Sequence, residues 1–104
     1  MITIYHNHDF LDFRYYLSDK VATLINPVNL LKVAEVDTDD LDIAWKLTQH
    51  IESDWTKNEG VKSYYEYIRS TSVGDVIVCG DRGWVIAPIG FDELAKNIVD
   101  YLNA

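Results

Sequence analysis

A chain of 104 residues, 48% apolar and 25% charged, is long enough for one domain with its own core and too apolar for wholesale disorder. Its one cysteine, Cys79, excludes an internal disulfide and points to a reducing cytoplasm. A net charge of −8, with nine Lys and Arg scattered along the chain, argues against the basic face that direct nucleic-acid or anionic-membrane binding requires.

Met1 to His6 is β-branched and aromatic and predicts a first strand. It has neither the basic n-region nor the apolar h-region of a signal peptide, and no apolar run approaches the ~20 residues of a membrane span. Between Asn7 and Asn29, Phe10, Leu11, Phe13, Tyr15, Tyr16 and Leu17 fit either a short helix or an irregular packed segment, and Asn26-Pro27 marks a turn. Leu30 to Val36 predicts a second strand. Thr38 or Asp39 then caps a helix expected to run to about Asp54, with Leu41, Ala44, Trp45, Thr48, Ile51 and Trp55 at helical spacing.

Asn58-Glu59-Gly60 breaks the chain before a third expected strand over residues 61 to 69. Asp75 to Cys79 and Trp84 to Ala87 predict a hairpin around Gly80-Asp81-Arg82-Gly83. A helix from Phe91 to Leu102 closes the chain, with Phe91, Leu94, Ala95, Ile98, Tyr101 and Leu102 on one face. The expected fold class is α+β: a single domain over residues 1–104, with a mostly antiparallel sheet of about four or five strands and two main helices packed on it.

Few residue patterns carry chemistry. His6 and His8 at i, i+2, with Asp9 beside them, have a spacing found in metal sites, but a full ligand set needs groups from elsewhere. A polar strand end accounts for them as well. Asp37, Asp39, Asp40 and Asp42 fail the EF-hand pattern, since Leu41 falls at position 5, Asp42 at 6 and Thr48 at 12. Helix capping and the helix dipole explain them better. Cys79 has no neighbouring positive charge to activate it, Gly-x-Ser-x-Gly is absent, and the glycines form no phosphate-binding loop. No catalytic residue, metal ligand or cofactor is assigned.

Charge is distributed unevenly. Residues 35 to 59 hold eight acids (Glu35, Asp37, Asp39, Asp40, Asp42, Glu52, Asp54 and Glu59) against Lys46 and Lys57, which places −6 of the net −8 in this stretch. Such a field attracts basic surfaces and speeds encounter with them; it also suits a merely solvated helix. Tyr15-Tyr16 and the run Tyr64, Tyr65 and Tyr67 put rings on adjacent positions, so part of them faces solvent, where tyrosine is enriched in binding hot spots.

The stretch Arg69-Ser70-Thr71-Ser72-Val73-Gly74-Asp75-Val76-Ile77-Val78, followed by Trp84 to Phe91, resembles the ending of small uncharacterised bacterial and phage proteins similar to YodL-like domains. Val33 to Trp55 is similar to their middle, so the resemblance covers about half the chain, and it implies no established activity. Val-Gly-Asp before a strand also resembles small RNA-binding barrels of the PUA and ASCH kind, in which Arg69 and Ser70 would be ligand contacts. The motif makes sense without a ligand: Gly74 permits a tight turn and Asp75 hydrogen-bonds within it.

The sequence therefore leads to a non-enzymatic, cytoplasmic protein-binding protein. Its expected partner is a host protein with a basic surface, as for a phage or mobile-element inhibitor of a nucleic-acid-handling or defence complex, anti-CRISPR-like and partly mimicking DNA. The expected contacts are Asp37, Asp39, Asp40, Asp42, Glu52, Asp54, Glu59, Tyr64, Tyr65 and Tyr67, with no direct nucleic acid and no membrane. Two alternatives stand: a nucleic-acid or nucleotide-binding module built on the Ser-Val-Gly-Asp hairpin with Arg69, Arg82 and Trp84, and a small metal-dependent enzyme using His6, His8 and Asp9.

Overall fold

The computed structural model describes residues 1–9, 14–17, 20–50 and 54–104. Six strands form one sheet: β1 (Ile2–Asn7), β2 (Leu30–Val36), β3 (Val61–Ser63), β4 (Val76–Cys79), β5 (Arg82–Ile86) and β6 (Phe91–Glu93). Their spatial order is β3-β2-β1-β4-β5-β6, and every neighbouring pair is antiparallel. The helices are a single turn α1 (Arg14–Leu17), then α2 (Leu41–Leu47) and α3 (Lys96–Asn103). The expected α+β class and antiparallel sheet hold, with one strand more than predicted. Phe10, Leu11, Phe13 and Ile51 lie outside the described residues, as do the side chains of Tyr16 and Leu17.

Strand alternation buries both faces of the sheet. Tyr5, Val76, Val78 and Val85 point to one side, where Tyr15, Val21, Leu94 and Val99 cover them. Ile2, Ile4, Val36, Ile77 and Ile86 point to the other, under Ala44 of α2 and Trp55. The β1–β2 register slips between Ile4, opposite Ala34, and Tyr5, opposite Lys32. The extra residue lets adjacent Val33 and Ala34 enter the same core, as a β-bulge does.

Three predicted elements are shorter or different. Helix α2 starts at Leu41 and is capped by Asp40, whose carboxylate accepts from the backbone N–H groups of Asp42 and Ile43, while Thr38 Oγ1 accepts from Asp40 N. It ends at Leu47, well before Asp54. The Thr48 hydroxyl donates back to the Ala44 and Trp45 carbonyls, and the chain beyond pairs with 70–71 through Thr71 N to Thr48 O and His50 N to Ser70 Oγ.

The strand predicted for 61–69 stops at Ser63. Ser63 Oγ accepts from Tyr65 N, which turns the chain out of the sheet, and Tyr67 takes a left-handed φ of 57°. Finally, Phe91–Glu93 forms edge strand β6 against β5 instead of the first turn of a helix, so α3 begins only at Lys96. Phe91 keeps its apolar contact from the strand, since alternation sends it into the α2-side core and sends Asp92 Oδ2 to the N–H of Val21 on the other side.

Gly74 enters β4 at φ +92°, and a Cβ there would lie 2.8 Å from Tyr15 Cδ2. Gly60 has a similar φ of +82° with open space around it. Alanine at 60 is expected to cost about 1 kcal/mol of backbone strain, and alanine at 74 about 2–4 kcal/mol because overpacking against Tyr15 adds to it. Urea denaturation of the two variants checks this; equal losses would show that the Tyr15 contact contributes nothing.

Candidate functional site

The Ser72-Val73-Gly74-Asp75 turn sits over the end of β1 and closes on a buried polar cluster. Asp75 is 0% exposed. Its Oδ1 accepts from Arg69 Nη2 at 2.7 Å and from the Asn7 backbone N–H at 2.8 Å, and its Oδ2 accepts from Arg69 Nη1 at 2.5 Å and from the Ser72 N–H at 2.8 Å. A two-pronged guanidinium and two backbone donors satisfy the buried carboxylate. Asn7 extends the cluster, its Nδ2 donating to Tyr15 Oη at 3.0 Å and to the Gly74 carbonyl at 3.1 Å.

Trp55 is fully buried against the same segment and donates its indole N–H to the Arg69 carbonyl at 2.8 Å. His50 joins them: Nε2 faces the Ile68 carbonyl at 2.7 Å and Nδ1 accepts from Trp55 N, which fixes the proton on Nε2. Among the described residues no buried side-chain nitrogen or oxygen lacks a partner. Arg69 is thus turned inward to a carboxylate. Arg82, the other cation of the hairpin reading, pairs bidentately with Glu93 and lies 4.9 Å from the Trp84 ring centroid.

His6 and His8 separate. His6 is buried, with Nε2 2.9 Å from Thr71 Oγ1 and 3.8 Å from Asp75 Oδ2, whereas His8 is exposed beyond the strand end. Asp9 Oδ2 accepts from Asn29 Nδ2. Among the described residues no group of three His, Cys, Asp or Glu side chains is placed to hold a metal. Burial lowers the His6 pKa from 6.5 to about 4, against the opposing pull of Asp75.

The acids gather at one end of the sheet. Asp37, Asp39 and Asp40 follow β2, and Asp42 lies in the first turn of α2. The Asp37 N–H donates to the Gly60 carbonyl at 2.8 Å, which brings the turn carrying Glu59 alongside. All five side chains are exposed. Asp39 contacts the amino group of Met1, which holds its carboxyl below the usual range. None of the ion pairs among the described residues takes in Asp37, Asp40, Asp42 or Glu59. Asp54 is half-buried and caps the turn Trp55–Lys57 by accepting from Thr56 N and Oγ1. Glu52 lies outside the described residues.

The tyrosines occupy the other end. Tyr64 N donates to the Val33 carbonyl, and Tyr65 and Tyr67 line a cleft of about 340 Å³ with Leu31, Val33 and Ile68. From Leu31 to Asp37 is roughly 20 Å at ~3.3 Å per strand residue. Lys32 and Lys62 lie 5.4 and 5.6 Å from the Tyr64 ring centroid. The Tyr64 hydroxyl and Lys32 together depress the Glu35 pKa, so this carboxylate, unlike those at the acidic end, stands beside lysines. Tyr67 is 88% exposed.

Trp45 is the aromatic neighbour of the acids. It is 38% exposed and, with Asp42, lines a groove of about 420 Å³ between α2 and residues 86–91. Helical spacing had placed it in the core; Ala44 and Thr48 hold the buried face of α2 and Trp45 stands on its flank. Comparison of the chain with protein-family models, with curated proteins and with solved structures finds no match.

Protonation of His6 gives a pH signature. Between pH 6.5 and about 4 the unfolded chain binds this proton and the folded one does not, so stability rises with pH across the window and is lost as pH falls through it. The loss should reach about 3 kcal/mol near pH 4. Urea titrations at pH 7, 5.5 and 4 should show it, with a much flatter profile for His6→Gln; identical profiles would remove His6 as the cause.

Proposed function

We propose that the protein is a non-enzymatic binding domain whose acidic end docks a basic surface on another protein. The observation that carries this reading is the gathering of five exposed carboxylates at one sheet end, only Asp39 of them ion-paired among the described residues. Carboxylates left facing water at one pole create a field that steers a cationic patch and rejects an anionic one. A basic groove of the kind that holds nucleic acid on a host defence or nucleic-acid-handling complex suits this field, with carboxylates standing where phosphates would. The acidic face is one loop and one helical turn wide, so it matches a local basic pocket better than a long duplex track. The inhibitor role of a phage or mobile-element protein belongs to the same proposal.

Arg69 and Arg82 are committed to Asp75 and Glu93, so the two cations of the hairpin reading have less to offer phosphates. The test is affinity capture from the native host at about 50 mM salt, comparing wild type with the Asp37→Asn/Asp39→Asn/Asp42→Asn variant. Asp40 stays in place because its carboxylate caps α2. The expected result is a basic partner, held tenfold or more weakly by the variant and with a shallower salt dependence. Short single-stranded RNA and DNA should show no saturable binding at the same salt. Equal capture by both proteins, or tight nucleic-acid binding that weakens steeply with salt, would reject the proposal.

A further inference from the structure

The groove beside the acidic end has the character of an anchor site. Trp45 and Asp42 form one wall, on α2; Val73 and Ile86 lie along the base; Pro88 and Phe91 form the opposite wall. At about 420 Å³ it falls within the ~300–1,000 Å³ range of pockets that bury a ligand group. Ile89, between Pro88 and Phe91 of the opposite wall, is 93% exposed. Exposed tryptophan beside such a groove is the residue type most enriched in interface hot spots.

The polar groups in the groove favour a macromolecular segment over a small polar ligand. A small-molecule site orients its ligand with a few convergent polar groups. Here the Gln49 amide already donates to the Trp45 and Thr71 carbonyls, at 3.1 and 2.7 Å, and the Thr71 hydroxyl faces His6. What remains is an apolar trough with a carboxylate on its wall. Among the described residues no lysine or arginine lines it, and from Asp42 the acidic end continues through Asp40 and Asp39 to Asp37.

We infer that this groove binds a basic segment of the partner protein, with one large apolar side chain seated between Trp45 and Phe91 and a neighbouring lysine or arginine facing Asp42. This deepens, and rests on, the reading that the acidic end meets a basic surface. That reading supplies the long-range attraction, and the groove supplies the short-range contact that slows dissociation. An acidic segment would meet Asp42 and its neighbours with like charge and be rejected.

The experiment is selection of a displayed library of random twelve-residue peptides on the folded protein, followed by titration of the enriched synthetic peptides by heteronuclear NMR. The expected enrichment combines an aromatic or long aliphatic residue with lysine or arginine within two or three positions. Shifts should centre on the Trp45 indole and on Val73, Ile86 and Phe91. Trp45→Ala should weaken binding tenfold or more. Asp42→Asn, which keeps the side chain's size, should weaken it about threefold and reduce its salt dependence; both variants should keep the wild-type circular dichroism. Peptides without basic residues, shifts confined to the Tyr64–Tyr67 cleft, or no enrichment at all would overturn the proposal. If enriched basic peptides keep their salt dependence but bind Trp45→Ala like wild type, the groove assignment fails and the acidic-end reading survives. If binding ignores both salt and neutralisation of Asp37, Asp39 and Asp42, that reading fails as well.

Discussion

The buried pair of Arg69 and Asp75 is the interaction on which the rest of the structure depends. It joins three parts of the chain that are far apart in sequence: Asp75 at the start of β4, Arg69 on the segment leaving the tyrosine loop, and Asn7 at the end of β1. A carboxylate at 0% exposure is tolerable only with its acceptor sites filled, and here two guanidinium nitrogens and two backbone N–H groups fill them. Removing one partner of such a pair typically costs about 3–5 kcal/mol, because the other is left charged and buried. Gly74 lets Tyr15 close over the turn, and Trp55 ties the carbonyl of Arg69 to the opposite core. Both apolar cores thus meet the same polar clasp.

That clasp separates architecture from function. The most distinctive local pattern in the sequence, Arg-Ser-x-Ser-Val-Gly-Asp, turns out to be holding the sheet together, with its arginine facing inward. Two sets of groups are left without such work: the carboxylates of Asp37, Asp42 and Glu59, in no ion pair among the described residues, and Trp45 at the rim of an apolar groove that reaches the Ser72-Val73 turn. Charge at long range and one ring at short range form a common division of labour in protein recognition. The tyrosine loop is a different environment. Lys32 and Lys62 stand beside Tyr64 with Glu35 and, in the adjoining cleft, Glu66, so that end lacks the acidic excess despite its exposed rings.

Much of the sheet was legible in the sequence because its strands follow simple rules. β1, β2 and the β4–β5 hairpin lie where β-branched runs put them, β2 to the residue, except that Arg82 and Gly83, expected in the hairpin turn, belong to β5. What failed were the places where tertiary contacts override a local period. Helical spacing continues past Leu47, but Thr48 bonds back to the helix and the next residues pair with 70–71, so the helix is cut short. Phe91 fits the face of a closing helix equally well as a strand residue, and pairing with Ile86 decided the matter. The run Tyr64, Tyr65 and Tyr67 looked extended and is a loop, because Ser63 closes a turn that no propensity scale weighs. At the site, charge counting found the acidic end from composition alone. It could not see that the tyrosines lie at the far end of β2, nor that Asp40 is committed to the helix cap.

On the proposed function, recognition begins with the electrostatic field of the acidic end. The most direct measurement is the association rate constant with the captured partner, followed by stopped-flow fluorescence from about 20 to 500 mM salt. The association rate constant should fall steeply and monotonically with ionic strength while the dissociation rate changes little. An association rate that stays flat across that range, with all the salt sensitivity in dissociation, would contradict it.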